Sequence, residues 1–280
     1  MAINLAAKAS DKVVERFKIG SVTEGLFTSK YDWTGVATVK VYTVDNLPLQ
    51  NYDKSATSGS RFGALTEVGD TVQEMTVTDD KSFNGSIDKG NNTAQMMIKS
   101  ASSVLKRTTD EVLIPYVDKY RLAKLAEGAG TKVYNTALSE VNFLETIFSA
   151  GAAMSDKLVP KSGRVLYIGE SEAVKLKLTE QVLGVDKLAE KVIVNGTVGT
   201  IDGMQVRIVP NNYMPENVVF LIVRKGVAVA PKKIETFRIL DEHPDIDGHV
   251  VQGRFLHDCF VLDTQKDGIY AAYSNGVAYD

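Results

Sequence analysis

The chain has 280 residues, 44% of them hydrophobic and 24% charged, with a formal net charge of -3. That balance is expected of a soluble folded protein that hides roughly three quarters of its unfolded surface, and it argues against a dedicated nucleic-acid binder, because no run of Lys and Arg dominates a projected face. One cysteine, Cys259, excludes an intramolecular disulfide framework and fits a reducing compartment. No window approaches about 18 apolar residues and no charged leader precedes an apolar core, so neither membrane spanning nor secretion is expected.

In chain order, Lys8 to Lys18 is a short amphipathic helix candidate, followed by Gly20, Gly25 and Gly35 among Phe27, Tyr31 and Trp33 with little periodicity. Three aromatic residues without a core of their own must rest on another surface, of this chain or of a neighbour, and the expectation is a neighbour. Thr38 to Val44 and Asp70 to Thr78 alternate as strands do, and the long polar stretch between them, with Tyr52, Arg61 and Phe62, reads as a functional loop. The region 38 to 88 is therefore expected to be an extended hairpin reaching away from the body.

A helix is predicted from Thr93 to Glu127, capped by Asn92 with Gln95 and ended by Gly128 and Gly130. Unbroken, it would span roughly 50 Å. Its apolar stripe runs through Met97, Ala101, Val104, Leu105, Thr108, Val112, Tyr116 and Tyr120, with Asp110, Glu111, Asp118 and Lys119 among the polar positions. Pro115 is expected to cost one hydrogen bond and bend the rod, or to break it into two helices.

Next, Asn142 with Glu145 caps a helix to about Lys157, buried through Leu144, Ile147, Phe148 and Met154; Arg164 to Ile168 is a strand, and Ser171 opens a helix closing at Gly184. Val192 to Val194 and Val206 to Val209 are strand-like, with Asp202-Gly203 as a hairpin turn signal. Val218 to Val223 and Gly226 to Ala230 add strands, and the run Val250 to Leu262 is expected to pair with Ile269 to Tyr273. The fold class is mixed α+β.

Chemical sites are sparse. His243, His249 and His257 crowd near Asp241, Asp245, Asp247, Asp258 and Cys259, but their spacing matches no zinc pattern. Strand alternation puts His257, Cys259 and Val261 on one face and Asp258 and Phe260 on the other, which makes Cys259 a small buried hydrophobe rather than a nucleophile. No catalytic residue, cofactor site or metal site is assigned, and no enzyme activity is expected.

The order of parts, with the strings Tyr31-Asp32-Trp33-Thr34-Gly35, Arg61-Phe62-Gly63, Glu67-Val68-Gly69-Asp70-Thr71-Val72-Gln73-Glu74, Ile87-Asp88-Lys89-Gly90-Asn91-Asn92-Thr93, and Gly253-Arg254-Phe255 ahead of Asp258-Cys259-Phe260-Val261-Leu262-Asp263, resembles the major capsid protein of tailed bacteriophages with the HK97 fold, in a group from phages and prophages of Gram-positive bacteria. The resemblance spans essentially the whole chain. It implies an N-terminal arm at 1–36, an extended E-loop at 37–89, a P-domain at 90–137 and 232–280 containing the spine helix, and an α/β A-domain at 138–231.

The resemblance further implies a homo-oligomer of pentamers and hexamers closing an icosahedral shell around double-stranded DNA that it does not read by sequence. It implies a separate scaffolding protein and a portal as partners, no membrane, and residence in the virion after assembly from the host cytoplasm. Inter-subunit contacts are expected at Phe27, Tyr31, Trp33, Tyr52, Arg61 and Phe62. An encapsulin-like nanocompartment shell is the alternative function. The Lys and Asn pair that some members join covalently cannot be assigned, although Lys54 lies in the hairpin.

Overall fold

The computed structural model describes residues 20–29, 31, 33, 38–55, 57, 60–94, 100–139, 141–178, 199–241 and 244–274. The expected helix at Lys8 to Lys18, the cap partner Gln95, the helix end at Gly184, the strand at Val192 to Val194 and His243 lie outside them.

Among the described residues, strand β1 (Thr38–Val44) pairs only with β2 (Asp70–Thr76), antiparallel, and the long loop 45–69 joins them. This part of the hairpin expectation matches. Strand β3 (Asp79–Asp88) corrects the rest of it: after two residues the chain leaves the hairpin and pairs with a strand of the body. Ile87 is buried and Phe83 stacks on Phe237 of the body, covering that a free hairpin would not supply.

Helix α1 (Lys89–Ala94) begins at Asp88, whose Oδ1 accepts the N–H of Asn91 at 2.7 Å. The cap is therefore Asp88, and Asn92 lies inside the helix. Helix α2 (Ala101–Thr108) passes through a π-helical turn (Thr109–Leu113) into helix α3 (Ile114–Glu127), so the rod is unbroken over 101–127. Pro115 lies just after the π turn, in which the N–H of Ile114 bonds Thr109 O five residues back, so the shifted ladder accommodates the missing donor without breaking the rod.

The buried face of α3 is Val117, Asp118, Arg121, Leu122, Leu125 and Ala126. Tyr116 and Tyr120 are only half-buried and Val112 is exposed, whereas Asp118, expected on the polar face, has no exposure.

Gly128 is not left-handed, with φ -83°. It and Gly130 serve close packing instead. A Cβ at Gly128 would lie 2.6 Å from Val261 Cγ2, and one at Gly130 would lie 2.6 Å from the backbone of Lys266.

The body is built on a six-stranded mixed sheet in the order β4 (Thr131–Val133), β13 (Ile269–Tyr273), β8 (Val218–Arg224), β5 (Arg164–Gly169), β7 (Met204–Val209) and β6 (Thr200–Ile201). β5 and almost all of β8 are buried on both faces, which explains their continuous apolar runs. Leu166, Ile168, Phe220 and Ile222 face one layer, formed by helix α4 (Phe143–Asp156) and helix α5 (Glu170–Leu178). Val165, Tyr167, Leu221 and Val223 face Leu122, Leu125 and Ala126 of α3.

Asp202 and Gly203, at φ 47° and 75°, make the expected hairpin turn between β6 and β7. On α4, Ile147 and Met154 are buried as expected and Leu144 is partly so. Phe148 is 46% exposed, and Phe143 takes its place in the core. Asn142 does flank α4, but its Oδ1 accepts the N–H of Ser139 rather than capping the helix.

A three-stranded antiparallel sheet, β10 (Lys232–Leu240), β11 (Gly248–His257) and β3, lies beside α2. The short strands β9 (Ala228–Val229) and β12 (Phe260–Val261) pair with each other. β11 thus pairs with β10 and β3, which corrects the expected pairing of the 250–262 run with Ile269 to Tyr273. The backbone breaks from the strand at Asp258 and Cys259, so alternation fails there and His257, Asp258 and Cys259 are all buried.

Candidate inter-subunit surface

The described residues of loop 45–69 are held by their own bonds rather than by a core. Asp53 N–H donates to Arg61 O at 3.0 Å, Gln50 Nε2 to Ala64 O at 3.3 Å, and Ser55 N–H to Asp53 Oδ1 at 2.8 Å. Tyr52 and Phe62 meet edge to face at 5.0 Å. The two cross-links and this ring pair tie the two legs of the loop together as a tongue.

The apolar side chains of the tongue point outward: Leu47, Leu49, Tyr52, Phe62, Leu65 and Val68 are exposed, Phe62 at 79%. Six large apolar side chains on one projecting segment exceed the scattered exposure normal for a monomer surface. Arg61 is exposed beside them.

The base of the hairpin is fastened firmly. Gln73 Nε2 donates to Val261 O at 2.8 Å and Gln73 Oε1 accepts the N–H of Asp263 at 3.1 Å. Met75 and Val77 are buried with Trp33, Val229 and Leu262.

Trp33 therefore has a face in its own subunit. It is 8% exposed and stacks on Phe260 with ring centroids 5.7 Å apart. Of the two surfaces open to it, Trp33 rests on that of its own chain rather than on the expected neighbour: the surface is assembled from β2, β9 and β12, which are distant in sequence. Phe27 is half-buried under the Arg121 guanidinium at 4.9 Å, and Tyr31 packs against the Trp33 cluster.

The segment 21–28 is strapped to the body by side chains that periodicity had not singled out. Asp118 accepts bonds from Ser21 Oγ at 2.9 Å, Val22 N–H at 2.8 Å and Thr23 Oγ1 at 2.6 Å. Arg207 Nη1 donates to the carbonyls of Val22 at 2.6 Å and Glu24 at 2.9 Å. Main-chain bonds from Gly226 N–H to Leu26 O and from Thr28 N–H to Ala228 O complete the strap. A buried carboxylate on a helix is the one sequence feature that could have pointed to it, had the helix phase been known.

At the joint between hairpin and body, Asp258 Oδ2 accepts the N–H and hydroxyl of Thr78, both at 3.0 Å, and its Oδ1 accepts Tyr120 Oη at 2.8 Å. Burial and the bond to Asp258 push the Tyr120 phenol well above its ordinary value. Burial pushes the Cys259 thiol up to about 12. Among the described residues no group of three or more His, Cys, Asp or Glu side chains could hold a metal ion, and His249 instead meets Asp241 at 3.0 Å. No described helix is long and apolar enough to cross a membrane.

No protein-family model and no curated protein matches the chain. Solved structures do. The chain is similar to a structure from Mycobacterium phage Che8, with a TM-score of 0.80 and 18% identity over 98% of each chain. The capsid structure of the cyanophage P-SCSP1u matches at a TM-score of 0.78 and 15% identity, over 96% of this chain and 92% of that one. The mature capsid of bacteriophage PhiM1 matches at a TM-score of 0.66 and 10% identity, over 99% of this chain and 93% of that one. The chain has the fold of phage capsid subunits along nearly its whole length, consistent with the HK97-like architecture that its sequence strings resemble.

Proposed function

We propose that this chain is the major capsid protein of a tailed phage head, a structural subunit that self-assembles into an icosahedral shell. The observation that carries the reading is the tongue 45–69, whose described large apolar residues are exposed on a chain that matches phage capsid structures from end to end. A shell subunit needs such overlapping parts, because a curved closed lattice is built from repeated contacts between identical chains.

In this reading Tyr52, Arg61 and Phe62 of the tongue are the inter-subunit contacts, and Phe27, Tyr31 and Trp33 support the strap from within the subunit. The division into arm 1–36, E-loop 37–89, P-domain 90–137 with 232–280 and A-domain 138–231 belongs to the same proposal, with the joint at Thr78 as the place where the hairpin meets the body. Pentamers and hexamers would enclose double-stranded DNA through weak contacts independent of sequence, with a scaffolding protein and a portal as partners. The chain would pass from host cytoplasm into the virion.

Negative-stain imaging of concentrated protein tests the proposal, with shells, tubes or capsomer rings as the expected result. A compact monomer under every crowding, salt and scaffold condition in sedimentation would overturn it.

A further inference from the structure

His257 is the last residue of β11 and sits opposite Asp79, the first residue of β3, as the final rung of that ladder. It has no solvent exposure. Its Nε2 lies 2.9 Å from Asp79 Oδ2, yet neither imidazole nitrogen has a hydrogen-bond partner. The ring is enclosed instead by Phe255 at 4.7 Å, Tyr120 at 5.1 Å and Tyr116 at 5.9 Å.

Asp79 is already engaged, by Tyr116 Oη at 2.9 Å and by Lys81 Nζ at 3.2 Å. One residue before Asp79 and one after His257, Thr78 and Asp258 tie the end of the hairpin to the same spot. Among the described residues the hairpin β1–β2 pairs with no other strand, and it is seated on the body by this joint, by Gln73 and by the cluster around Trp33.

We propose that the joint is an acid-sensitive latch, closed while His257 is neutral and loosened when the imidazole takes up a proton. A protonated ring would carry two donors into an enclosure that offers one carboxylate, already shared, and nothing for Nδ1. An unpaired buried donor on a charged ring costs far more than one on a neutral ring, and hydration is reached by parting the last rung between His257 and Asp79.

The charged and titratable groups facing the ring are Asp79 and Lys81 from β3, Tyr116, Tyr120 and Arg121 from α3, and Asp258 after β11. Burial holds the imidazole below its ordinary value; Asp79 and Asp258 oppose this, while Arg121 and Lys81 add to it. The closed joint therefore binds fewer protons than the open one. Opening becomes more favourable as the pH falls through about 6.5, by at most about tenfold per pH unit for one proton. The inference concerns the single chain and does not rest on shell assembly.

Hydrogen exchange of the full chain, followed at the amides of 73–79 from pH 8 to pH 5 and corrected for intrinsic rates, tests the latch. The opening constant of these amides should rise by about tenfold between pH 7 and pH 5.5, one proton's worth over part of that range, while the β8 amides stay unchanged. His257→Phe should abolish the rise, and His249→Gln and His243→Gln should keep it. Emission from Trp33, the only tryptophan, should shift to the red over the same range. If His257→Phe does not fold, Asp79→Asn serves: removing the opposing carboxylate should extend the rise to lower pH. A flat wild-type profile, an equal rise in His257→Phe, or an Asp79→Asn profile like the wild type would each overturn the latch.

Discussion

Trp33 shows how a single side chain can be misjudged from its neighbours in sequence. Its local context, bounded by glycines and without periodicity, offers no face, but Phe260, Met75, Val77 and Leu262 converge on it from elsewhere. Trp33→Ala should therefore destabilise the isolated chain by about 3 kcal/mol, read as a lowered midpoint in denaturant unfolding; an unchanged midpoint would return Trp33 to a surface between subunits. Cys259 was legible, because a lone cysteine among Phe, Val and Leu is usually a small buried hydrophobe. With its thiol pushed up to about 12, it should resist a thiol reagent at pH 8 in the folded chain and react promptly in denaturant. Rapid reaction in the native state would show that β12 opens readily.

At the scale of elements, the long helix was readable because its length and strong formers outweigh the one proline. Its phase was not, since Tyr116 and Tyr120 look as apolar as Val117 and Leu122 when only spacing is counted. The choice was made by Ser21, Val22 and Thr23, which supply the hydrogen bonds that allow Asp118 to be buried. Asp118→Ala would leave three donors without an acceptor and should release the strap, so that proteolysis near 20–28 rises about tenfold or more while the six-stranded sheet remains protected. Gly130→Ala is the sharper test of packing. Its Cβ would meet the Lys266 and Asp267 backbone, which cannot move aside as a flexible side chain would, and a loss of about 1–3 kcal/mol in thermal or denaturant unfolding is expected.

For the whole molecule, the decisive contrast is between a body whose sheet is covered on both faces and a tongue with its apolar residues outside. Deleting about 50–67 should leave circular dichroism and the unfolding midpoint of the body nearly unchanged, because shortening a surface loop changes closure entropy only logarithmically. The same deletion should abolish closed particles. Collapse of the body on deletion would place the tongue in the monomer core and remove the main support for the shell reading.

Length, hydrophobic periodicity and turn chemistry in the sequence alone determined the mixed class, the β1–β2 hairpin, the long helix, the Asp202-Gly203 turn and the buried β5 and β8. These are local signals, set by backbone preference and side-chain spacing within a few residues. Only the tertiary structure decided the partner of β11, the seat of Trp33, the burial of Asp118 and the meeting of His257 with Asp79. β3 with β11, Trp33 with Phe260, Asp118 with Ser21 and His257 with Asp79 each join residues about a hundred or more positions apart. Pairing at that distance is chosen by which surfaces can exclude water together and satisfy one another's polar groups, a property of the assembled chain that no short window contains.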